Sequence, residues 1–116
     1  HVRSIKFDKA DRTDAERDFA EARAKWEAGE RSGYIVFSEK LQNYMMRFIL
    51  DVNRKGENLP VQVHTGYQEG TGNIIANSSP LNLNQLILDY PDTHFDIFHL
   101  GWPFTDEALA LVEAAI

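Results

Sequence analysis

The sequence contains no cysteine. Disulfides, thiolate metal sites and cysteine nucleophiles are therefore excluded. Basic residues are scarce: 12 Lys and Arg stand against 18 Asp and Glu, a formal charge of −6. A general nucleic-acid binder wants a basic face, so nucleic acid is not an expected partner. No apolar run approaches the ~20 residues of a membrane span, and no membrane partner is expected. A signal-peptide pattern is also missing, and the expected location is cytoplasmic. There is no Gly-x-Ser-x-Gly elbow and no His-Glu-x-x-His helix. Gly70-Thr71-Gly72-Asn73 lacks the Lys-Ser/Thr of a phosphate loop and reads as a mobile loop. The acidic pairs lie on helical patterns and define no glycosidase couple.

What is present is 116 residues, 43% of them hydrophobic, enough for one packed domain and too apolar for a disordered chain. The chain opens at His1 beside a strand-like run and stops at Ile116 inside a helical pattern. Both ends read as cut, which predicts a piece of a longer protein.

Residues 2–7 read as a short strand. Thr13-Asp14-Ala15-Glu16 has capping-box form, and Ala15, Phe19, Ala22 and Trp26 follow at helical spacing until Gly29. Gly33 to Phe37 is a short apolar connector. Ser38 is a good N-cap for a helix whose Leu41, Tyr44, Met45, Phe48, Ile49 and Val52 form one stripe, which predicts a core-facing side. Leu59 to His64 reads as a strand, residues 65–78 as a polar loop, and Ser79-Pro80 as the opening of a helix. That helix carries Leu83, Leu86, Ile87 and Tyr90 inward and ends at Pro91. His94 to His99 reads as a third strand. Thr105 caps a last helix with Leu109, Val112 and Ile116 on its apolar face. Strands alternating with helices predict an α/β fold with parallel strands. A complete eight-stranded barrel needs ~250 residues, so the length suits roughly half of one.

Parallel α/β folds place their chemistry at the carboxyl ends of the strands. His64 ends one predicted strand and His99 the next. Adjacent parallel strands lie ~4.8 Å apart, so two imidazoles at successive strand ends can meet in one small volume. Imidazole is the commonest metal ligand and the commonest acid or base near neutral pH. A single histidine ending a strand is ordinarily a satisfied loop residue; two on successive strands, each two residues before a glycine (Gly66, Gly101), make a stronger case for function. His94 begins its strand and reads as structural. Lys6, near the end of the first predicted strand, is a candidate metal bridge, acid or clamp, against the reading of an ordinary charged side chain. Gln62 shares a strand side with His64, which suits orienting a ligand. Trp102 and Phe104 can wall a pocket or simply pack.

Leu59-Pro60-Val61-Gln62-Val63-His64-Thr65-Gly66, then Ser79-Pro80 before a leucine-rich helix, then Tyr90-Pro91-Asp92, then His99-Leu100-Gly101-Trp102-Pro103-Phe104 resembles the amidohydrolase superfamily, in its amidohydrolase-related (amidohydrolase 2) branch. The specific part covers residues 59–108. The resemblance implies a partial (β/α)8 TIM barrel, about its strands four to six. It implies His64 as a metal ligand, and His99 as a second ligand or as the residue that activates water. It places Lys6 where some members carry a carboxylated lysine. The family's His-x-His pair and its late Asp have no counterpart in this chain, so weak or absent metal binding is expected of these residues alone.

The expected function is metal-dependent hydrolysis of a C–N or related carbonyl-type bond of a small molecule, with a divalent metal, zinc first. Candidate catalytic residues are His99 and Lys6, candidate metal ligands His64 and His99, and candidate substrate contacts Gln62 and Trp102. The alternatives are a decarboxylase, lyase or isomerase on the same architecture, or a non-catalytic α/β domain. Expected partners are the small-molecule substrate and either the rest of a barrel or another chain, as in a homo-oligomer, covering the open sheet edges.

Overall fold

The computed structural model describes residues 3–30, 37–70 and 72–115. His1 and Val2, Gly33 to Val36 of the connector, Thr71 and Ile116 lie outside the described residues. The chain divides into two compact units, Phe7–Ile49 and His1–Lys6 with Leu50–Ile116.

The Phe7–Ile49 unit holds α1 (Arg12–Glu27) and most of α2 (Glu39–Lys55). The α1 cap is Asp11 rather than the capping box expected from Thr13: its carboxylate accepts from the Thr13 N–H at 2.8 Å. An acceptor two residues upstream satisfies an orphan amide and sets a negative charge at the positive helix end. Gly29, at φ 86°, ends α1, and the Glu30 N–H donates back to the Lys25 carbonyl at 3.1 Å. That left-handed step is nearly free for glycine.

Ser38 caps α2 as its sequence suggests. Its hydroxyl oxygen accepts from the Leu41 N–H at 3.1 Å, and its O–H donates to Asp18 of α1. Lys40 donates to Asp14 at 2.7 Å, and Arg17 pairs with Asp14 at 2.8 Å. The hydrogen bond from Lys40 holds the Asp14 carboxyl below its ordinary 3.8, helped by the charges of Lys40 and Arg17. The Ser38 hydroxyl does the same for Asp18, with Arg17 assisting. Depressed carboxylates contribute stability above their unfolded value and lose it as pH falls through the folded one. The unit is therefore expected to lose stability progressively below about pH 4. Thermal unfolding followed by circular dichroism checks this, and the double change Asp14→Asn with Asp18→Asn should flatten the acid limb.

The expected core stripe of α2 is only partly buried. Leu41 is inside, and Tyr44 is half-buried and stacked on Phe48 with ring centroids 6.4 Å apart. Met45, Phe48, Ile49 and Val52 are exposed.

The second unit is built on β1 (Val61–His64) and β2 (Phe95–Phe98), paired in parallel with Val61 opposite Phe95 and His64 opposite Phe98. Parallel neighbours require a crossover. Here it contains 3₁₀ turns at Ile75–Ser78 and Pro80–Leu83 and then α3 (Asn84–Asp89). Pro80 sits in the first turn, where its missing N–H costs nothing. α4 (Thr105–Ala115) follows β2. Pro80, Leu83, Leu86, Tyr90, Ala108 and Leu111 are buried here. Leu109 and Val112, the expected inner face of α4, are exposed. The helix is rotated so that Ala108 and Leu111 point inward instead.

The partial TIM barrel is overturned. Among the described residues the sheet has two strands and no barrel, although parallel strands with intervening helix keep an α/β pattern. The strand expected over 2–7 does not form among its described residues. Its hydrogen bonds go elsewhere: the Ile5 N–H donates to the Asn77 carbonyl at 2.9 Å, and the Lys6 N–H to Ser4 Oγ at 3.1 Å. Arg3 folds back onto the Ser4 and Lys6 carbonyls at 2.9 and 3.0 Å. A backbone committed to its own side chains and to the Asn77 carbonyl has little left for a sheet ladder.

Candidate functional site

Side chains alternate across a strand, so Gln62, His64, Asp96 and Phe98 share one face of the β1–β2 pair. Val61, Val63, Phe95 and Ile97 share the other. His99 follows β2 by one residue. Continued as a strand it would turn its ring to the Ile97 side, away from His64. The register confirms the offset, because the residue opposite His64 is Phe98 and not His99.

The backbone corrects that parity. His99, Leu100 and Gly101 have φ of 69°, 48° and 66°, three successive residues in the left-handed region. Two of them are not glycine, a cost of about 1–2 kcal/mol each. The turn brings His99 Nε2 to 3.0 Å from His64 Nδ1, with ring centroids 5.0 Å apart. The Phe98 ring stands edge-on to both imidazoles, 5.2 Å from His64 and 6.0 Å from His99.

Hydrogen bonds hold the strained turn at both ends. Thr65, fully buried, donates its N–H and its hydroxyl to the Phe98 carbonyl at 3.3 and 2.8 Å. The Trp102 N–H donates to the His99 carbonyl at 3.1 Å, and the Tyr67 N–H to the Trp102 carbonyl at 2.6 Å. The two glycines are needed for this packing. A Cβ on Gly66 would lie 2.2 Å from the Trp102 carbonyl oxygen, and one on Gly101 would lie 2.8 Å from Pro80 Cγ. Their lack of side chain lets one loop lie on the other and on Pro80.

Of the residues singled out from the sequence, His64 and His99 come together. Both are exposed at the mouth of the sheet. Gln62 lies on the His64 side of β1, also exposed. Trp102 is exposed and meets Tyr67 edge-to-face, centroids 5.9 Å apart, on the loops that follow the two histidines. Phe104 is half-buried, its N–H donating to the Gly101 carbonyl at 2.6 Å. Lys6 is exposed and is not carried on a strand, so the premise that set it at a strand end fails. His94 lies at the far end of β2, on an open groove of about 450 Å³ lined also by Tyr90, Phe95, Ile97 and Leu111.

Sequence reading missed Thr65, Tyr67, Asp96 and Phe98. Asp96 is exposed opposite Gln62 on the imidazole face, and strand alternation counted back from Phe98 would have found it. Thr65 carried a weaker signal, a hydroxyl between a histidine and a glycine.

Two nitrogens bound to tetrahedral zinc at about 2.0–2.1 Å stand roughly 3.3–3.4 Å apart, so the 3.0 Å imidazole pair has the donor chemistry of half a site and must open by a few tenths of an ångström to hold the ion. Among the described residues, no three His, Cys, Asp or Glu side chains gather as a ligand set. No described helix is long and apolar enough to cross a membrane.

No family model matches the chain, and no solved structure matches it. The chain is similar to Protein fluG of Emericella nidulans, 31% identical over an alignment of 77 residues that covers 63% of this chain. The match spans 9% of the length of that relative.

Proposed function

We propose that His64 and His99 are two ligands of a divalent cation, zinc first, in a cytoplasmic hydrolase acting on a carbonyl-type carbon of a small molecule. The observation that carries this is the 3.0 Å approach of His64 Nδ1 to His99 Nε2, reached through a left-handed turn that places the second ring on the face of the first. Strain kept beside two convergent imidazoles suits a functional site better than a packing accident. A cation held by His64 and His99 would supply Lewis acidity toward a carbonyl oxygen and toward water. The chain's own residues then divide the remaining work. Phe98 fixes both ring planes, Gln62 and Asp96 offer polar contacts on the same face, and Tyr67 with Trp102 forms an aromatic rim. The resemblance to the amidohydrolase superfamily supports a C–N bond as substrate.

A second reading follows from the same distance. Without a cation, 3.0 Å between ring nitrogens is a direct hydrogen bond, one imidazole donating and the other accepting. Such a pair can pass a proton and would serve metal-free acid–base chemistry.

Calorimetric titration with zinc separates the two. The cation reading expects weak one-to-one binding by the 116-residue chain, with His64→Ala and His99→Ala each reducing affinity by about tenfold or more. Equal binding by the parent chain and both variants would remove the cation reading and leave the proton pair.

A further inference from the structure

We propose that Thr65 is the positioning residue of the imidazole pair, acting through the Phe98 carbonyl; the inference rests on the site reading above and extends it to a residue that touches neither ligand nor substrate. Thr65 follows His64 directly, and Phe98 directly precedes His99. The two donations from Thr65 to the Phe98 carbonyl therefore tie together the backbones that carry the two rings. The hydroxyl bond is the shorter, 2.8 Å against 3.3 Å for the N–H. The N–H bond continues the parallel ladder in step with the bond from Val61 N–H to the His94 carbonyl, so the hydroxyl bond is the clasp that Thr65 adds beyond the ladder.

Its position matters because the left-handed turn starts at the very next residue. Phe98 is still extended, at φ −69° and ψ 145°, and His99 is at φ 69°. Anchoring the Phe98 carbonyl fixes the peptide plane from which the chain reverses. If that plane rotates, His99 can relax toward ordinary strand geometry, and its ring then leaves the His64 face. The exit of the turn has its own anchor in the Tyr67 N–H to Trp102 carbonyl bond. The entry relies on Thr65.

Thr65 is also fully buried, so a packing role must be separated from a hydroxyl role. Valine keeps the shape and loses the hydroxyl; serine keeps the hydroxyl and loses a methyl. Thr65→Val and Thr65→Ser are compared with the parent chain by ring-to-ring nuclear Overhauser contacts between His64 and His99 in the metal-free protein, and by zinc affinity. A clasp predicts that Thr65→Val loses the contacts and binds zinc about 10–100-fold more weakly, while Thr65→Ser keeps the contacts and stays within about threefold of the parent. Urea unfolding confirms that both variants are folded under the conditions used. Should Thr65→Val keep the contacts while Thr65→Ser loses them, Thr65 merely packs and the inference is overturned. Should both variants keep them, it is overturned as well. If zinc binds the parent and both variants equally while only Thr65→Val loses the contacts, the cation reading fails and the positioning role stands.

Discussion

Gly66→Ala is expected to destabilise the β1–β2 unit by about 2–5 kcal/mol, the sum of left-handed strain and overpacking. Gly66 sits at φ 73°, and its new Cβ would meet the Trp102 carbonyl oxygen at 2.2 Å, the Gly101 carbonyl carbon at 2.6 Å and the Trp102 nitrogen at 2.7 Å. All three are backbone atoms, so no flexible side-chain tip can swing aside. The loops must part, which breaks the Tyr67 N–H to Trp102 carbonyl bond and lets the imidazoles separate. Gly72→Ala is the matched control. Gly72 also has a positive φ, 86°, but nothing lies within 4 Å of its added Cβ. It should cost only the strain, about 1–2 kcal/mol. Urea unfolding of the two variants reads the difference. Equal losses would mean that the loops do not touch.

Leu83→Ala should cost about 2–5 kcal/mol, the range for emptying a well-packed leucine site. Leu83 is fully buried in the turn that leads into α3, in the same unit as buried Leu86, Tyr90 and Leu111. Leu81, two residues earlier in that turn, is 51% exposed. Leu81→Ala should stay within about 0.5 kcal/mol of the parent. Chemical unfolding of both reads which leucine the turn points inward. If Leu81→Ala proved the more damaging, the turn would be facing the other way.

Much of the order of elements was legible because local signals were strong. Ser38 before a long amphipathic run, Pro80 at the start of a turn and Val-x-Val against Phe-x-Ile each state one local preference. What failed was tertiary. Periodicity says which side of a helix is apolar, not which side is covered, and so Met45, Phe48, Ile49 and Val52 of α2 are exposed. On α4 the small Ala108 lies inward where the larger Leu109 was expected. Residues 3–7 have strand-like alternation, but Arg3 and Ser4 satisfy nearby backbone groups locally.

The site divides in the same way. The histidines at two successive strand ends were readable from spacing alone. Their meeting was not, because the register sets His64 opposite Phe98, and strand parity alone would send the two rings to opposite faces. Histidine signals a left-handed backbone only weakly and leucine not at all, so the turn that reconciles the parity left little mark in composition or period. Thr65 escaped for a related reason: its importance lies in a partner 33 residues away.

Nitrogen-15 spectra of the histidine rings, recorded with and without one equivalent of zinc, test the shared centre most directly. His64 Nδ1 and His99 Nε2 are predicted to shift together and saturate at the same zinc concentration, with Nε2 of His64 and Nδ1 of His99 moving far less. Shifts at only one ring, or at the two outward nitrogens, would contradict a cation held between these imidazoles.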